Sequence, residues 1–291
     1  MAEHLTQRRP MAAQPDTATN SGIEEIEIKL LLEGVHLRYG YDFREYATGT
    51  LRRSIAAGMA GEGVPTISAY LERLLHDESC MQRFLGGVGV NVTSMFREAD
   101  VLRCFREEVV ARLRTYPSIR IWIAGCATGE DAYSVAIILA EEGLYDRSRI
   151  YATDLNEASL AIARTGAYPL ERVRAAEPAY VQSGGRVRIS DFYTAAGHSA
   201  RFQRALQRNV TWARHNLVTD GSFNEFHMIL CANVLIYFKP SLQERAHRLF
   251  YNSLVRSGYL GLGQRESLIF SPESSRYQQV RDGVNLFHKV A

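Results

Sequence analysis

Residues 121–134 read IWIAGCATGEDAYS. An apolar, β-prone run stops at Gly125; small residues, a second glycine (Gly129) and two acids (Glu130, Asp131) follow. DAYSVAIILAEEG (131–143) is then apolar almost all round, as a helix buried on every side must be. A strand, a tight turn and a buried helix in immediate succession are the opening unit of an open α/β sheet, where ligands sit beyond the strand ends. Glycine lets backbone approach such a ligand closely. The two glycines are four apart, so the turn is not G-x-G-x-x-G, and no Lys-Ser/Thr follows to make a phosphate loop. The two acids suit a ligand carrying an ammonium or sulfonium charge, although an acid at a helix start also serves as a plain cap.

The alternation continues outward from this turn. RIYATDL (149–155) reads as a strand and NEASLAIARTG (156–166) as a helix stopped by glycine. FHMILCANVLIYF (226–238) contains a third strand, and PSLQERAHRLFYNSLVRSG (240–258) is a helix with Ser241 and Glu244 spaced as a capping box. YLGLGQRESL (259–268) is a fourth strand, and YQQV (277–280) and NLFHKV (285–290) are short final ones. The expected fold class is therefore α/β, a Rossmann-like, mostly parallel sheet covered by helices. Upstream, IEIKLLLEGVHL (26–37), FREYATGTLRRSIAAGM (43–59) and ISAYLERLLHDESCMQRFL (67–85) carry helical patterns, and VLRCFREEVVARLR (101–114) is one more amphipathic helix. The expected organisation is a disordered tail over 1–22, an all-helical domain over 23–90 and the α/β domain over 91–291. An insert at 181–214 forms a small antiparallel β-subdomain within the last.

Composition narrows the function. Charged residues nearly balance, with a net charge of +2 over 291 residues, so no global pull toward nucleic acid is expected. No apolar stretch reaches the length of a bilayer span, and the N-terminus has no apolar signal core. Four cysteines without C-x-x-C spacing read as reduced thiols of a cytoplasmic protein, and no metal is expected.

Three polar residues stand where strands should end. Asp154 closes the second strand; it can hold a ribose diol or cap the next helix. Asn216 and Asn233 follow apolar or aromatic-containing stretches, where an amide needs partners, from a ligand or within the core. Together with the acidic turn, these features point to a nucleoside with an amino-acid-like tail, and S-adenosyl-L-methionine is such a molecule.

The chain resembles the chemoreceptor glutamate O-methyltransferase (CheR) family. NVTSMFREADVL (91–102) is similar to that family's N-x-T-x-F-F-R-E segment, and GCATGEDAYS (125–134) to its G-C-S-T-G-E-E-P-Y-S turn. ATDLN (152–156), HNL (215–217) and CANVLIYF (231–238) match later motifs in order, so the resemblance spans about residues 23–290. It implies S-adenosyl-L-methionine as cofactor and a glutamate side chain of a chemoreceptor-like protein, within an acidic helical region, as methyl acceptor. It further implies that Asn91, Thr93 and Arg97 contact the cofactor and that Glu130 faces its ammonium. By the same resemblance Asp154 holds the ribose, Asn216 and Leu217 flank the adenine, and Asn233 with Val234 lines the wall near the methyl donor. Tyr237 belongs to that wall, and Arg97 and Tyr237 are the expected catalytic residues. On residue pattern alone, Arg97 also reads as a surface charge and Tyr237 as a buried aromatic. A cytoplasmic monomer without direct membrane insertion is expected.

The departures from the family pattern are Met95 for phenylalanine, Ala127 and Ala132 in the turn, Ala232 for arginine before Asn233, and GQRES (263–267) for G-H-S-E. The absence of an obvious His-Asp pair fits a carboxylate acceptor, which is already ionised at neutral pH, with a reference pKa of ~4.3. A nicotinamide-dependent dehydrogenase is the rival enzyme and lacks its glycine motif. A non-catalytic module that binds the cofactor, or a methyltransferase acting on a signalling protein outside chemotaxis, shares the same residues.

The family's partner is thought to dock on a basic helical domain, but residues 21–90 here hold seven Lys/Arg against ten Asp/Glu. The insert is the basic part: Arg186, Arg188, Arg201, Arg204, Arg208 and Arg214 stand against the single acid Asp191. Phe192, Tyr193, Phe202 and Trp212 are interleaved. GRVRIS and SARFQRAL alternate as short antiparallel strands would, with Arg on one face, and the insert is expected to dock an acidic partner.

Overall fold

The computed structural model describes residues 17–88, 93–269 and 271–290, with side chains from residue 22. Four helices come first: α1 (Thr17–Tyr39), α2 (Thr48–Glu62), α3 (Ile67–His76) and α4 (Glu78–Val88). The expected tail lies outside the described residues up to 16, while residues 17–22 already belong to α1. The apolar run at 67–85 is split at Asp77, whose carboxylate accepts from the Ser79 backbone N–H (2.8 Å) and hydroxyl (2.7 Å) and restarts the helix. The helix expected from residue 43 starts only at Thr48, because Phe43 and Tyr46 turn inward to pack on each other and on Phe84 and Phe238. Helices α5 (Ala99–Cys104) and α6 (Val110–Leu113) are joined by one π-helical turn, Phe105–Val109, and lead to the sheet.

The sheet strands and their helices follow as β1 (Ile119–Ala124), α7 (Glu130–Glu141), β2 (Ser148–Asp154) and α8 (Glu157–Thr165). Next come β3 (Ala167–Pro169), α9 (Leu170–Arg174), α10 (Glu177–Gln182), β4 (Tyr193–Ala196), β5 (Ser199–Phe202), α11 (Arg204–Gln207) and β6 (Val210–Arg214). The chain closes with β7 (Phe226–Cys231), α12 (Pro240–Ser253), β8 (Leu254–Leu262), β9 (Tyr277–Gln279) and β10 (Leu286–Lys289). Seven strands form one sheet in the order β6-β2-β1-β7-β8-β10-β9. Its first five strands are parallel, and β10 pairs antiparallel with β8 and β9. The central strands β1 and β7 are apolar on both faces because helices cover both. From β1 the chain steps outward to β2 and β6, then returns to β7 on the other side of β1. That reversal opens a crevice at the carboxyl ends of β1, β2 and β7.

One apolar cluster, including Phe105, Val109, Ile137, Ile138 and Phe202, fills one face of the sheet. A second runs unbroken from Leu31 and Phe84 of the helical domain, through Leu217 and Phe238, to Trp122 and Phe250 beneath α12. The helical domain is thus part of the core that closes the other face. It is also pinned by backbone: Ala47 N–H donates to Tyr237 O (2.8 Å) and Lys239 N–H to Glu45 O (2.9 Å).

Two local expectations are corrected. Pro240 is the first residue of α12, which makes Lys239 the cap; Ser241 falls inside the helix and its hydroxyl donates to Glu45 (2.6 Å), so no capping box forms. The small antiparallel sheet has the order β3-β5-β4, so it takes a strand from before residue 181, while β6 leaves the insert to pair with β2. GRVRIS is not a strand, because it runs into a short 3-10 helix at Ile189–Phe192. Phe202 is buried and stacks on Tyr133 at 5.0 Å, and Trp212 packs on the same ring, so these two aromatics serve the core.

Candidate active site

A cavity occupies the crevice. Gly125 and Ala127 after β1, Asp154 at the end of β2 with Asn156 beyond it, and His215, Asn216 and Leu217 after β6 line it. Ala232, Asn233, Val234 and Tyr237 after β7 form another wall, Thr93 and Arg97 a third, and Phe43 and Tyr46 reach in from the helical domain. Eight of the expected site residues therefore meet around one space: Thr93, Arg97, Asp154, Asn216, Leu217, Asn233, Val234 and Tyr237. Asn91 lies outside the described residues.

Glu130, expected to face the ammonium, does not line this cavity. It opens α7 nearly fully buried; its Oε2 accepts from the Thr128 hydroxyl (2.7 Å), and Arg172 Nη2 lies 3.4 Å from Oε1. Burial pushes its carboxyl above the ordinary range, against the Thr128 hydrogen bond and the nearby Arg172 charge. Its visible work is to brace the glycine turn against the segment before α5, since Arg172 also donates to Thr93 O (2.5 Å).

The turn itself is shaped for close approach. Gly125 has φ of +70°, and a Cβ there would collide with the Val234 side chain. Gly129, at φ +96°, has Ala163 and Trp212 in the same position. Two of the four described non-glycine residues with positive φ also line this site: Ala127 and Asn233. Such backbone costs free energy and persists where surroundings hold it.

Those surroundings are carboxylates. Asp154 Oδ2 accepts the Ala127 N–H and Oδ1 the Asn156 N–H, both at 2.8 Å. The cap of α8 is Asn156, whose side chain accepts from Ala158 and Ser159, so Asp154 is not the cap. Burial holds the Asp154 carboxyl above its ordinary pKa against these hydrogen bonds. Glu266 is the residue that sequence reading missed. Buried, it accepts four backbone N–H groups: Gly263 (2.7 Å), Asn233 (3.0 Å), Val234 (2.8 Å) and Leu235 (2.7 Å). The available signal was an acid three residues past the apolar strand segment YLGLG (259–263), at the place of the glutamate in the family's G-H-S-E. The Asn233 amide in turn donates to Glu98 (2.7 Å).

Arg97 is not a surface charge. Its side chain is 15% exposed, and Nη2 donates to Asp131 Oδ2 (2.5 Å) and Ala232 O (2.9 Å). Burial lowers its pKa, but the Asp131 charge outweighs that and holds it above its ordinary value. Its Nε, the Thr93 hydroxyl and His215 Nδ1 are buried on residues of the cavity wall without a hydrogen-bond partner. A buried polar atom left unpaired is costly and points to a missing ligand. A guanidinium and a hydroxyl suit a carboxylate, Asp154 suits a diol, and Leu217 with Phe43 suits a flat ring. The residues present fit S-adenosyl-L-methionine.

Comparison with known proteins agrees with this geometry. Residues 91–283 match the model described as "CheR methyltransferase, SAM binding domain", and residues 26–87 the one described as "CheR methyltransferase, all-alpha domain". A Pseudomonas putida chain named as the methyltransferase Cher3 is 44% identical over 265 residues, covering 91% of this chain and 97% of that one. The chemotaxis protein methyltransferase of Listeria innocua is 28% identical, covering 79% and 86%. That of Salmonella typhimurium is 26% identical, covering 84% and 85%. Among the described residues no helix is long and apolar enough to cross a membrane. With both domains matched across nearly the whole chain, and a cavity built for S-adenosyl-L-methionine between them, the protein belongs to the CheR methyltransferase family.

Proposed function

We propose that the protein transfers a methyl group from S-adenosyl-L-methionine to a glutamate side chain of a chemoreceptor-like signalling protein, forming a methyl ester. The observation that supports this acceptor is the wall shared by the cavity and a second opening beside it. Among the described residues that wall consists of Arg97, Asn233 and Tyr237: a guanidinium, an amide and a phenol. A guanidinium, an amide and a phenol do not make a general base. The acid in the opening, Glu98, has both oxygens engaged, by the Asn233 amide (2.7 Å) and the Gln264 N–H (3.1 Å). A protonated amine needs a base before it can accept a methyl group. A glutamate, with a reference pKa of ~4.3, does not.

When bound, the cofactor supplies an electrophilic methyl group on a positively charged sulfur. The protein's task is then to orient. Arg97, fixed by Asp131 and Ala232 O, keeps its unpaired Nε for a carboxylate. Tyr237 sits where the cavity meets the opening and is tied by its carbonyl to Ala47. Alignment of this kind contributes up to ~7–11 kcal/mol in favourable cases. The reading takes an acidic helical region as partner, and a monomer in the cytoplasm; the four buried free thiols agree with the latter. The test is transfer of labelled methyl from the cofactor to a chemoreceptor cytoplasmic fragment, followed by mild alkali. Esters release the label. Label that survives alkali contradicts carboxylate methylation.

A further inference from the structure

The second opening carries more charge than methyl transfer needs. Thr50 and Arg53 from α2, Glu98, Ile236 and Arg265 surround it, and it shares Arg97, Asn233 and Tyr237 with the cofactor cavity. Arg265 and Tyr237 line this same opening. That arginine is exposed, and among the described residues it has neither a hydrogen bond nor an acid partner. Arg53 is similarly unneutralised and makes only a long contact to Thr50 Oγ1 (3.3 Å). The one acid present, Glu98, is already engaged by Asn233 and Gln264.

The backbone that carries Arg265 is rigid. Glu266 N–H donates to Gly263 O (3.0 Å), Gly263 N–H to Glu266 Oε2 (2.7 Å) and Gln264 N–H to Glu98 Oε2 (3.1 Å). Asn285 Nδ2 donates to Gly263 O (2.9 Å) and Glu266 O (2.8 Å) from the other side. A free guanidinium on a turn fixed from both sides is prepared to receive a carboxylate with little loss of chain freedom.

We infer that Arg265 is a specificity-determining residue that reads a second carboxylate, beside the glutamate being methylated. On one face of a helical substrate such a neighbour lies three, four or seven residues away. The inference rests on the proposed glutamate methylation and adds to it a requirement on the neighbouring side chain.

The experiment uses the full chain and helical peptides with one acceptor glutamate. A second position three, four or seven residues away carries Glu, Gln or Lys. Ester formation is read as kcat and KM separately, with cofactor affinity measured by calorimetry. For the wild type, KM for the best-placed Glu peptide is expected about tenfold below that of its Gln partner, with kcat nearly equal, the pattern of a charge at the rim. Arg265→Ser should bring that ratio close to one. Arg265→Glu should reverse it and favour the Lys peptide, while both variants keep the wild-type cofactor affinity. Equal KM for Glu and Gln peptides in the wild type, at every spacing, overturns the role of Arg265 while leaving the methyl ester intact. A preference that survives in Arg265→Glu overturns it as well. Cofactor binding with no alkali-labile product on any peptide instead contradicts the underlying reading.

Discussion

Glu266 holds Asn233 in place: its Oε2 accepts the Asn233 N–H at 3.0 Å, at a backbone position with φ of +60°. Its Oε1 takes the next two N–H groups, and so the turn leading to Tyr237 is organised around one carboxylate. Glu266→Gln keeps the volume but offers a single acceptor oxygen. It should cost roughly 2–4 kcal/mol of stability, the scale of buried backbone donors left unpaired. Denaturant unfolding measures the loss. A variant as stable as the wild type would show that the carboxylate does not organise this turn.

Asp154→Ala should weaken binding of S-adenosyl-L-methionine by roughly 1.5–3 kcal/mol, as expected for hydrogen bonds to a charged acceptor. Calorimetry gives the number directly. Unchanged affinity removes the ribose assignment.

The same carboxylate predicts a pH dependence. Burial raises the Asp154 pKa above its ordinary value of 3.8. An acid whose pKa is raised by folding favours the folded state in its protonated form. Its contribution to stability is therefore present below the unfolded pKa and lost as pH rises through the folded one. Binding runs the other way if the ionised form holds the diol. Cofactor affinity should start to fall, on acidification, at a higher pH than an ordinary aspartate titrates. Asp154→Asn should flatten that fall; a profile of unchanged shape in the variant contradicts it.

Arg97→Ala should lower turnover by more than ~100-fold if this guanidinium sets the geometry of transfer. Arg97→Lys should recover little, because the lysine cannot reproduce the fork that meets Asp131 and Ala232 O. Near-normal kcat in either variant counts against its role.

Docking on the basic insert needs a different variant from the one its sequence invites. Arg186 is committed to the buried Glu142 (2.7 Å), and Arg208 to Asp146. Arg188 and Arg204 are exposed, and their guanidinium groups form no ion pair among the described residues; only the Arg188 backbone N–H meets an acid, donating to Asp191 Oδ2 (3.2 Å). Replacing both by Glu should raise KM for an acidic protein substrate, more at low salt than at high salt, since exposed charges are screened within ~8–10 Å. Cofactor affinity should not change. A KM equal to the wild type across the salt series excludes this surface.

Much of this was legible in order and type. The run IWIAG, the acid closing the second strand and the asparagine in LCANVLIYF lie where strand ends converge, and periodicity with motif order is enough to find them. What stayed hidden depends on long-range packing. Glu130 and Asp131 are adjacent in sequence, yet Asp131 pairs with Arg97 while Glu130 turns toward Thr128 and Arg172. No local pattern separates them. Phe43 and Tyr46 read as the start of a helix, because nothing nearby reveals that Phe238 waits to pair with Tyr46. The insert misled for a related reason: its alternating arginines look like a free face, while Glu142 and Asp146, some 40 to 60 residues earlier in the chain, already claim two of them.

The most direct test of the central claim is the position of the methyl group itself. The full chain is incubated with S-adenosyl-L-methionine and a chemoreceptor cytoplasmic fragment, and the fragment is sequenced by tandem mass spectrometry. The account predicts the added methyl on glutamate side chains, absent when Arg97→Ala replaces the wild type. Methylation on lysine, arginine or cysteine, or an unmodified fragment despite bound cofactor, would contradict it.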